Sequence, residues 1–141
     1  MKIKINTHGN PMPERHGDWI DLATAEDVEV KSGEYVSISL GVSMELPKGC
    51  YAMVVPRSST FKKWSLLQAN SVGVIDNDYS GPNEIWRFPC VAFKDVFIPK
   101  GTRLCQFCVM KSNEAVEFEQ DDLATNEDRG GFGSTGTFVQ K

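Results

Sequence analysis

The chain is poor in histidine and cysteine and has no long hydrophobic run. Its 141 residues include only two histidines and four cysteines. No apolar stretch approaches the roughly 18 residues that a membrane helix needs, so we expect no membrane partner. The segment Met1–Asn6 alternates lysine with isoleucine and lacks the apolar core of a signal peptide. These absences predict a cytoplasmic protein.

The chain also lacks an excess of positive charge. Fifteen lysines and arginines against 19 aspartates and glutamates give a formal net charge of −4. Proteins that coat nucleic acid normally carry a basic patch, so we expect no direct nucleic-acid binding. A nucleotide pocket stays open, because a few arginines and backbone amides can hold phosphate groups whatever the global charge.

The four cysteines do not form the framework of a small secreted protein. Cys105 and Cys108 have the CxxC spacing, but they lie in a strand-like run with no second pair of ligands. Buried thiols are therefore the favoured interpretation, and zinc or redox chemistry is the alternative. His8 and His16 stand alone in a polar region and receive no predicted role.

Alternating hydrophobicity indicates a single, mostly β domain. Six apolar residues at a strict spacing of two predict a strand over Val36–Leu46, which ends at the turn Pro47–Gly49. Short strands separated by Gly, Pro, Asn and Asp are typical of a β-sandwich or barrel. Further strands are predicted at Val28–Val30, Cys50–Val55, Gln68–Ile75, Ile85–Phe88, Val91–Phe93, Arg103–Met110 and Val116–Phe118.

One short helix is predicted over Ser59–Leu67, with Phe61, Trp64 and Leu67 on one face. A strand runs into its start at Pro56-Arg57-Ser58-Ser59. Free N–H groups, a guanidinium and two hydroxyls converge there, and together they suit an anion. The alternative is that Ser58 or Ser59 only caps the helix.

Two carboxylates are candidates for chemistry. Asp76 follows the apolar part of a predicted hairpin, Asn70–Gly81. Partial burial at a strand end can orient a carboxylate, so Asp76 is the candidate general base, with an ordinary turn aspartate as the alternative. Asp78 is explained as a turn residue. Asp21 is the second candidate, and its alternative is a loop carboxylate.

Residues 120–141 form a glycine-rich arm that is distinct from the β-domain at 1–119. After an acidic part the arm reads Arg129-Gly130-Gly131-Phe132-Gly133-Ser134-Thr135-Gly136. Exposed N–H groups, two hydroxyls and a planar cation suit phosphate, and Phe132 could lie on the flat face of a ligand. No lysine follows the glycines, so this is not a Walker A loop. The alternative is a frayed tail.

Taken in order, these clusters resemble the five motifs of the trimeric dUTPase family. The matching segments are Asp21–Val28, Pro56–Ser59, Gly73–Gly81, Gly101–Phe107 and Arg129–Gly136. Gly17–Leu22 and Asn126–Arg129 look closest to the Gram-positive bacterial and phage-like branch. One motif would be weak evidence, but five in order identify the family.

The resemblance implies a jelly-roll-like β-sandwich or barrel with one short helix and a C-terminal arm. It also implies a homotrimer with three shared active sites, in which the arm closes a neighbouring subunit's site. The implied reaction converts dUTP to dUMP and pyrophosphate with Mg²⁺. Asp76 would activate the attacking water, and Ser58 would stabilise the leaving oxygen. Asp21 would contact the metal through water, while the substrate phosphates would hold most of the ion.

The resemblance implies substrate contacts for the remaining motif residues. Phosphate groups would be held by Arg57, Ser58, Ser59, Gln106, Arg129, Ser134 and Thr135. The nucleoside would be read by Asn70, Gly73, Val74, Ile75, Asp76 and Tyr79, with Phe132 stacked on uracil and Gly133 beside it. The tight hairpin would exclude the methyl group of thymine, and the ring of Tyr79 would exclude a ribose 2′-OH.

Two other functions stay open at this point. A dCTP deaminase would share the fold, and ammonia release would identify it. A nucleotide-sensing regulatory protein of phage type would bind a host regulatory protein instead of, or besides, turning over dUTP. The hairpin and the arm resemble those of the diphosphatase, which favours dUTP hydrolysis.

Overall fold

The computed structural model describes residues 1–139, so Gln140 and Lys141 of the predicted arm lie outside the described residues. The strands are Lys4–Asn6 (β1), Glu14–His16 (β2), Trp19–Ala23 (β3), Val28–Val30 (β4), Tyr35–Ser39 (β5), Ser43–Glu45 (β6), Cys50–Pro56 (β7), Leu66–Gln68 (β8), Gly73–Ile75 (β9), Arg87–Ala92 (β10), Val96–Ile98 (β11) and Arg103–Lys111 (β12). The helix is Thr60–Trp64 (α1). The prediction of a mostly β chain with one short helix is confirmed. Over residues 1–139, no helix is long and apolar enough to span a membrane.

A five-stranded antiparallel sheet in the order β2-β3-β12-β7-β9 carries five of the predicted site residues, Asp21, Gly73, Val74, Ile75 and Gln106. Its longest strand, β12, pairs with β3 on one side and with β7 on the other. The register places Gln106 opposite Asp21 in β3 and opposite Val55 in β7. Three smaller sheets, β5-β10-β8, β1-β6 and β11-β4, complete the domain.

Large apolar side chains from several sheets form one core. Trp86, Phe88 and Phe107 are almost fully buried, and the rings of Trp86 and Phe107 meet edge to face with centroids 5.2 Å apart. Burial of a side chain of this size stabilises the fold by roughly 1.5–3 kcal/mol. Leu22 of β3 and Val54 of β7 belong to the same core, which therefore anchors the strands that carry the site.

Three predicted strands are confirmed almost to the residue. β4 has the predicted bounds, while β7 and β12 each extend one residue beyond them. The strands β1, β2, β3 and β11 were not predicted.

The strand predicted over Val36–Leu46 is in fact two strands in different sheets. β5 pairs with β10, and β6 pairs with β1. Gly41, between them, has a φ of +67°, and a Cβ atom there would clash with Asn10 and Ala25. Apolar alternation continues through this bend because both strands face the same core, so the pattern alone concealed the break.

The strands predicted at Ile85–Phe88 and Val91–Phe93 are a single strand, β10, with Pro89 inside it. The carbonyl of Pro89 accepts a hydrogen bond of 2.9 Å from the backbone N–H of Ala69. The N–H and C=O of a strand residue point to the same side. The nitrogen of Pro89, which carries no hydrogen, therefore faces the β8 side one residue before the first pair of that ladder, Cys90–Gln68. None of the paired residues of the ladder loses a bond.

The predicted helix Ser59–Leu67 is shorter than expected. It ends because Ser65 adopts a left-handed conformation with φ +53°, and Leu67 lies in β8 instead. Phe61 and Leu67 are more than half exposed, and Thr60 is the buried residue of the helix. The apolar face predicted for this segment is therefore wrong.

Two further strand predictions need correction. The predicted strand Gln68–Ile75 is interrupted by a turn that separates β8 from β9. Val116–Phe118 forms no strand, and both apolar residues are exposed, Phe118 to 93%. The chain from 112 to 139 contains no regular element, which agrees with an arm that leaves the domain.

Candidate active site

Asp21 is the centre of a buried charge cluster. It lies in β3, is 7% exposed, and is therefore not the loop carboxylate of the alternative interpretation. Its Oδ2 is 3.3 Å from Nε of Arg57 and 3.7 Å from Nη1 of Arg103. Neither contact has hydrogen-bond geometry, so this oxygen lacks a hydrogen-bond partner within residues 1–139. Two cations around one anion leave a surplus positive charge that suits a phosphate.

Arg57 is held where β7 runs into α1. Its backbone N–H donates to Oγ1 of Thr60 at 3.0 Å, and the hydroxyl of Thr60 donates to the carbonyl of Leu104. Ser59 occupies the N-cap position but makes no capping hydrogen bond through its side chain, so capping by Ser59 is ruled out. Ser58 is exposed beside it. Thr60 organises this corner, and the serine hydroxyls remain available for a ligand.

Gln106 belongs to the same cluster. It lies opposite Asp21 in the sheet, and its Nε2 donates to the carbonyl of Pro56 at 3.2 Å, directly before Arg57. The structure therefore brings the predicted residues Asp21, Arg57 and Gln106 together.

Arg103 is a site residue that the sequence analysis did not single out. Its Nη1 is 3.1 Å from Nε2 of His16, and the same nitrogen of His16 is 3.5 Å from Oε2 of Glu14. His16, which received no predicted role, thus supports the cluster. Its position within the fourth motif could have marked Arg103 as a site candidate, but only Gln106 was predicted from that motif.

The hairpin residues form a second group around a cavity of about 300 Å³. Its walls include Asn70, Val74, Ile75, Asp76 and Tyr79, all of them predicted site residues. Gly73 lies behind the cavity, and a Cβ atom there would approach Cβ of Val54 to 3.1 Å. The structure thus brings together the residues predicted to read the nucleoside.

The opposite wall of this cavity comes from β5 and β10 and was missed at the sequence level. Tyr35, Ser37 and Arg87 line it. Nε of Arg87 donates to Oγ of Ser37 at 2.9 Å, and its Nη2 donates to the carbonyl of the same residue at 2.7 Å. Tyr35 and Ser37 lie more than 30 positions before the hairpin, and Arg87 lies on the strand that follows it, so no single motif contains them all.

Asp76 is the first residue after β9. The backbone N–H of Tyr79 donates to its carbonyl at 3.1 Å and closes a turn. The partial burial expected for Asp76 is not found, because in the single chain the residue is exposed. Tyr79 is 40% exposed. The base candidate therefore faces an open cavity.

The two groups lie far apart in one chain. Ile75 pairs with Ala52 in the β7–β9 ladder, which puts Asp76 level with Tyr51. Arg57 lies six residues further along β7 than Tyr51, and at about 3.3 Å per residue this separates Asp76 from Arg57 by roughly 20 Å. A single chain therefore does not bring the base candidate to the phosphate-binding cluster.

Up to residue 139, the arm makes no hydrogen bond or ion pair to either group. Arg129, Phe132, Gly133, Ser134 and Thr135 are all exposed. The hydrogen bonds of the segment 129–136 are local: Ser134 N–H donates to Gly131 O at 3.1 Å and Gly136 N–H to Gly133 O at 3.0 Å, and Nε of Arg129 donates to Gly130 O at 3.4 Å. The single chain therefore does not show which site the arm residues contact.

Cys90 and Cys105 are buried in strands, as favoured at the sequence level, whereas Cys50 and Cys108 are only half-buried. Burial raises the pKa of Cys90 to about 11 and also raises the pKa of Cys105.

In the part of the chain that is described, no three His, Cys, Asp or Glu side chains are grouped as metal ligands. Among residues 1–139, Asp21 is the buried carboxylate, and one such group fits a Mg²⁺ ion that a bound ligand would mainly carry.

Comparison with known proteins places this geometry in a family. The family model for dUTPase matches residues 11–136. An SPbeta prophage-derived deoxyuridine 5′-triphosphate nucleotidohydrolase of Bacillus subtilis is 51% identical over 143 residues, which cover 97% of this chain and 99% of the relative. A dUTPase from Streptococcus mutans superposes with a TM-score of 0.71 at 27% identity, over 83% of this chain and all of that one.

A dUTPase from phage phi11 of Staphylococcus aureus has the same fold. It superposes with a TM-score of 0.73 at 19% identity, over 86% of this chain and 97% of the other, and its structure details the coordination of a structural Mg(II) ion. The jelly-roll-like architecture expected from the motifs is the fold of these neighbours. Matches over nearly the full length, with five motifs in order, show that the chain belongs to the dUTPase family of hydrolases.

Proposed function

We propose that this chain hydrolyses dUTP to dUMP and pyrophosphate, which limits uracil in DNA and supplies dUMP for dTMP synthesis. The observation that carries the proposal is the pair of preformed groups, a nucleoside-sized cavity at the hairpin and a cationic cluster at Arg57. The 51% identical relative, named as a dUTP nucleotidohydrolase, supports this substrate.

Catalysis begins at Asp76. Its carboxylate takes a proton from a water molecule, whose oxygen forms a bond to the α-phosphorus in line with the leaving group. The bond from the α-phosphorus to the bridging oxygen of the β-phosphate breaks, and pyrophosphate leaves. A positioned general base contributes about 10²–10⁴-fold to such a step.

The cluster around Asp21 binds the phosphate chain. Arg57 and Gln106 hold the α- and β-phosphates with Ser58 and Ser59, and Ser58 stabilises the leaving oxygen. Asp21 holds the Arg57 guanidinium at 3.3 Å, which orients it before substrate arrives. Charge-assisted hydrogen bonds from a planar guanidinium to phosphate are among the strongest that proteins make.

Base and sugar are selected at the hairpin cavity. Backbone groups of Gly73, Val74 and Ile75, with the amide of Asn70, read the edge of uracil, and the ring of Tyr79 lies against deoxyribose. Buried polar groups left without partners penalise cytosine, while lack of space excludes the methyl group of thymine.

The active site is shared between chains. Because Asp76 and Arg57 are roughly 20 Å apart in one chain, the base reaches the α-phosphate only if another copy supplies the cluster. The arm of a further copy closes the site: Arg129, Ser134 and Thr135 hold the γ-phosphate, Phe132 stacks on uracil, and Gly133 lets the backbone approach. A homotrimer with three such sites is the assembly that the family resemblance implies.

Mg²⁺ supplies charge neutralisation of the triphosphate when it is bound. Asp21 is the residue of this chain that would contact the ion, through water. Mg²⁺ usually retains several waters and binds through substrate phosphates with one or two carboxylates, which agrees with the single buried carboxylate found here.

The test is pyrophosphate release from dUTP, dCTP, dTTP and UTP, each with Mg²⁺ and with EDTA. We expect metal-dependent turnover of dUTP alone. Ammonia release from dCTP would identify a deaminase and contradict the proposal. Tight dUTP binding without turnover would also contradict it, and would indicate a nucleotide-sensing protein with a host regulatory partner.

A further inference from the structure

Asn77, the residue directly after Asp76, ties the hairpin to a distant turn. Its side-chain Nδ2 donates to the carbonyl of Pro47 at 2.8 Å and to the carbonyl of Cys50 at 2.7 Å. A primary amide has two N–H donors, so both are used. The acceptors lie 30 and 27 residues earlier in the chain, in the turn between β6 and β7.

The turn that receives these bonds is firmly held. It is closed by a bond from Cys50 N–H to Pro47 O at 3.2 Å, and the N–H of Ser112 donates to Gly49 O at 2.9 Å. Cys50 also begins β7, where it pairs with Lys111 at the end of the central strand β12. Asn77 is thus fixed to the end of the sheet where β7 begins and β12 ends.

The hairpin has little else to hold it at this point. β9 is a three-residue strand at the edge of the sheet, and its ladder with β7 ends at the pair Ile75–Ala52. Asp76 therefore lies between two anchors, the ladder at Ile75 and the side chain of Asn77. Because peptide groups are planar, the torsions between these anchors are the φ and ψ of Asp76 and those of Asn77 that lead to its side-chain amide.

We propose that Asn77 is a positioning residue for Asp76: its two hydrogen bonds set the direction from which the Asp76 carboxylate meets the attacking water. This inference rests on the proposed role of Asp76 as the base. Catalytic groups need placement within about 0.5 Å and 10–20°, and a 1 Å displacement can cost about 10²-fold in rate. An exposed carboxylate on an edge strand does not reach that accuracy without a second anchor.

The experiment compares Asn77→Ala with Asn83→Ala, a change at an exposed asparagine six residues further along the same loop. Steady-state kinetics give kcat and KM for dUTP, calorimetry gives the affinity for dUMP, and circular dichroism gives Tm. For Asn77→Ala we expect kcat to fall about 10- to 100-fold, while KM and the dUMP affinity stay within about threefold. The control Asn83→Ala should behave like the unmodified chain. Asn77→Gln, which keeps the amide on a longer side chain, should recover part of kcat.

Two results would overturn the inference. One is an unchanged kcat in Asn77→Ala. The other is a joint fall of kcat, dUMP affinity and Tm, because the anchor would then hold the whole hairpin rather than direct one carboxylate. The variant Asp76→Asn distinguishes a failure of the Asn77 inference from a failure of the proposed function. Full turnover of dUTP in Asp76→Asn would show that Asp76 is not the general base, whatever the result for Asn77.

Discussion

Replacing Asp21 by asparagine tests whether the charge cluster holds the sheet together. Asparagine keeps the shape of the side chain but removes the negative charge, which leaves Arg57 and Arg103 facing each other without a counter-ion. At an effective dielectric constant near 20, a pair separated by 3.3 Å attracts with about 5 kcal/mol before desolvation is counted.

The net effect is smaller than this attraction. Breaking a buried ion pair costs about 3–5 kcal/mol, but the side chains of Arg57 and Arg103 are 33% and 46% exposed. Solvent screening of both arginines reduces the expected loss to about 2–3 kcal/mol. An unfolding entropy of about 2.1 cal/mol/K per residue over 141 residues converts this to a fall in Tm of about 7–10 °C.

Thermal unfolding followed by circular dichroism measures the effect, with Glu45→Gln as the matched control. Glu45 pairs with Lys4 at 3.1 Å, but both side chains are largely exposed, so its loss should lower the free energy of unfolding by less than about 1 kcal/mol. High salt should abolish the effect of Glu45→Gln and leave most of the effect of Asp21→Asn. Equal Tm changes in the two variants would refute the reasoning.

Three further predictions concern the base, the arm and the thiols. Asp76→Asn should lower kcat by at least about 10²-fold while dUTP affinity, measured by calorimetry, stays within a few-fold; normal turnover would remove the base assignment. Deleting the chain from Arg129 onward should leave a folded oligomer with little activity, and unfolding on a urea titration would show instead that the arm is structural. Because burial raises the pKa of Cys90 to about 11, the unfolded chain loses its thiol proton first, so the free energy of unfolding should fall as the pH rises from 9 toward 11; a flat profile in urea titrations at pH 8 and 10 would contradict this.

The fold could be read from the sequence wherever one strand buries one face. β4, β7 and β12 show this because each crosses the core with its own turn signals. Hydrophobic alternation did not reveal the break at Gly41, where a bend joins two strands that bury the same side. It also predicted two strands where a single strand runs through Pro89, whose missing N–H falls outside the ladder. In both cases contacts with a neighbouring strand or loop decide whether the strand breaks or continues, and the hydrophobic pattern along the chain does not contain those contacts.

Some of the residues that the structure brings together could be chosen from the sequence, but their arrangement could not. Asp21, Arg57 and Gln106 were chosen from their motifs, and the structure joins them. Arg103 and Arg87 were missed because their importance comes from cross-strand partners. The spacing of motifs along the chain also gives no hint that Asp76 and Arg57 are roughly 20 Å apart, since that distance follows from the register of β7 with β9.

Mixing two inactive variants tests most directly whether the active site is assembled from different chains. Asp76→Asn and Arg57→Met each remove one half of the site, and the two proteins are unfolded, mixed in equal amounts and refolded together. If the base and the phosphate-binding arginine come from different copies, random assembly should restore about a quarter of the unmodified dUTP turnover. Activity no higher than that of the separate variants would contradict the shared site and would require both groups to act within one chain.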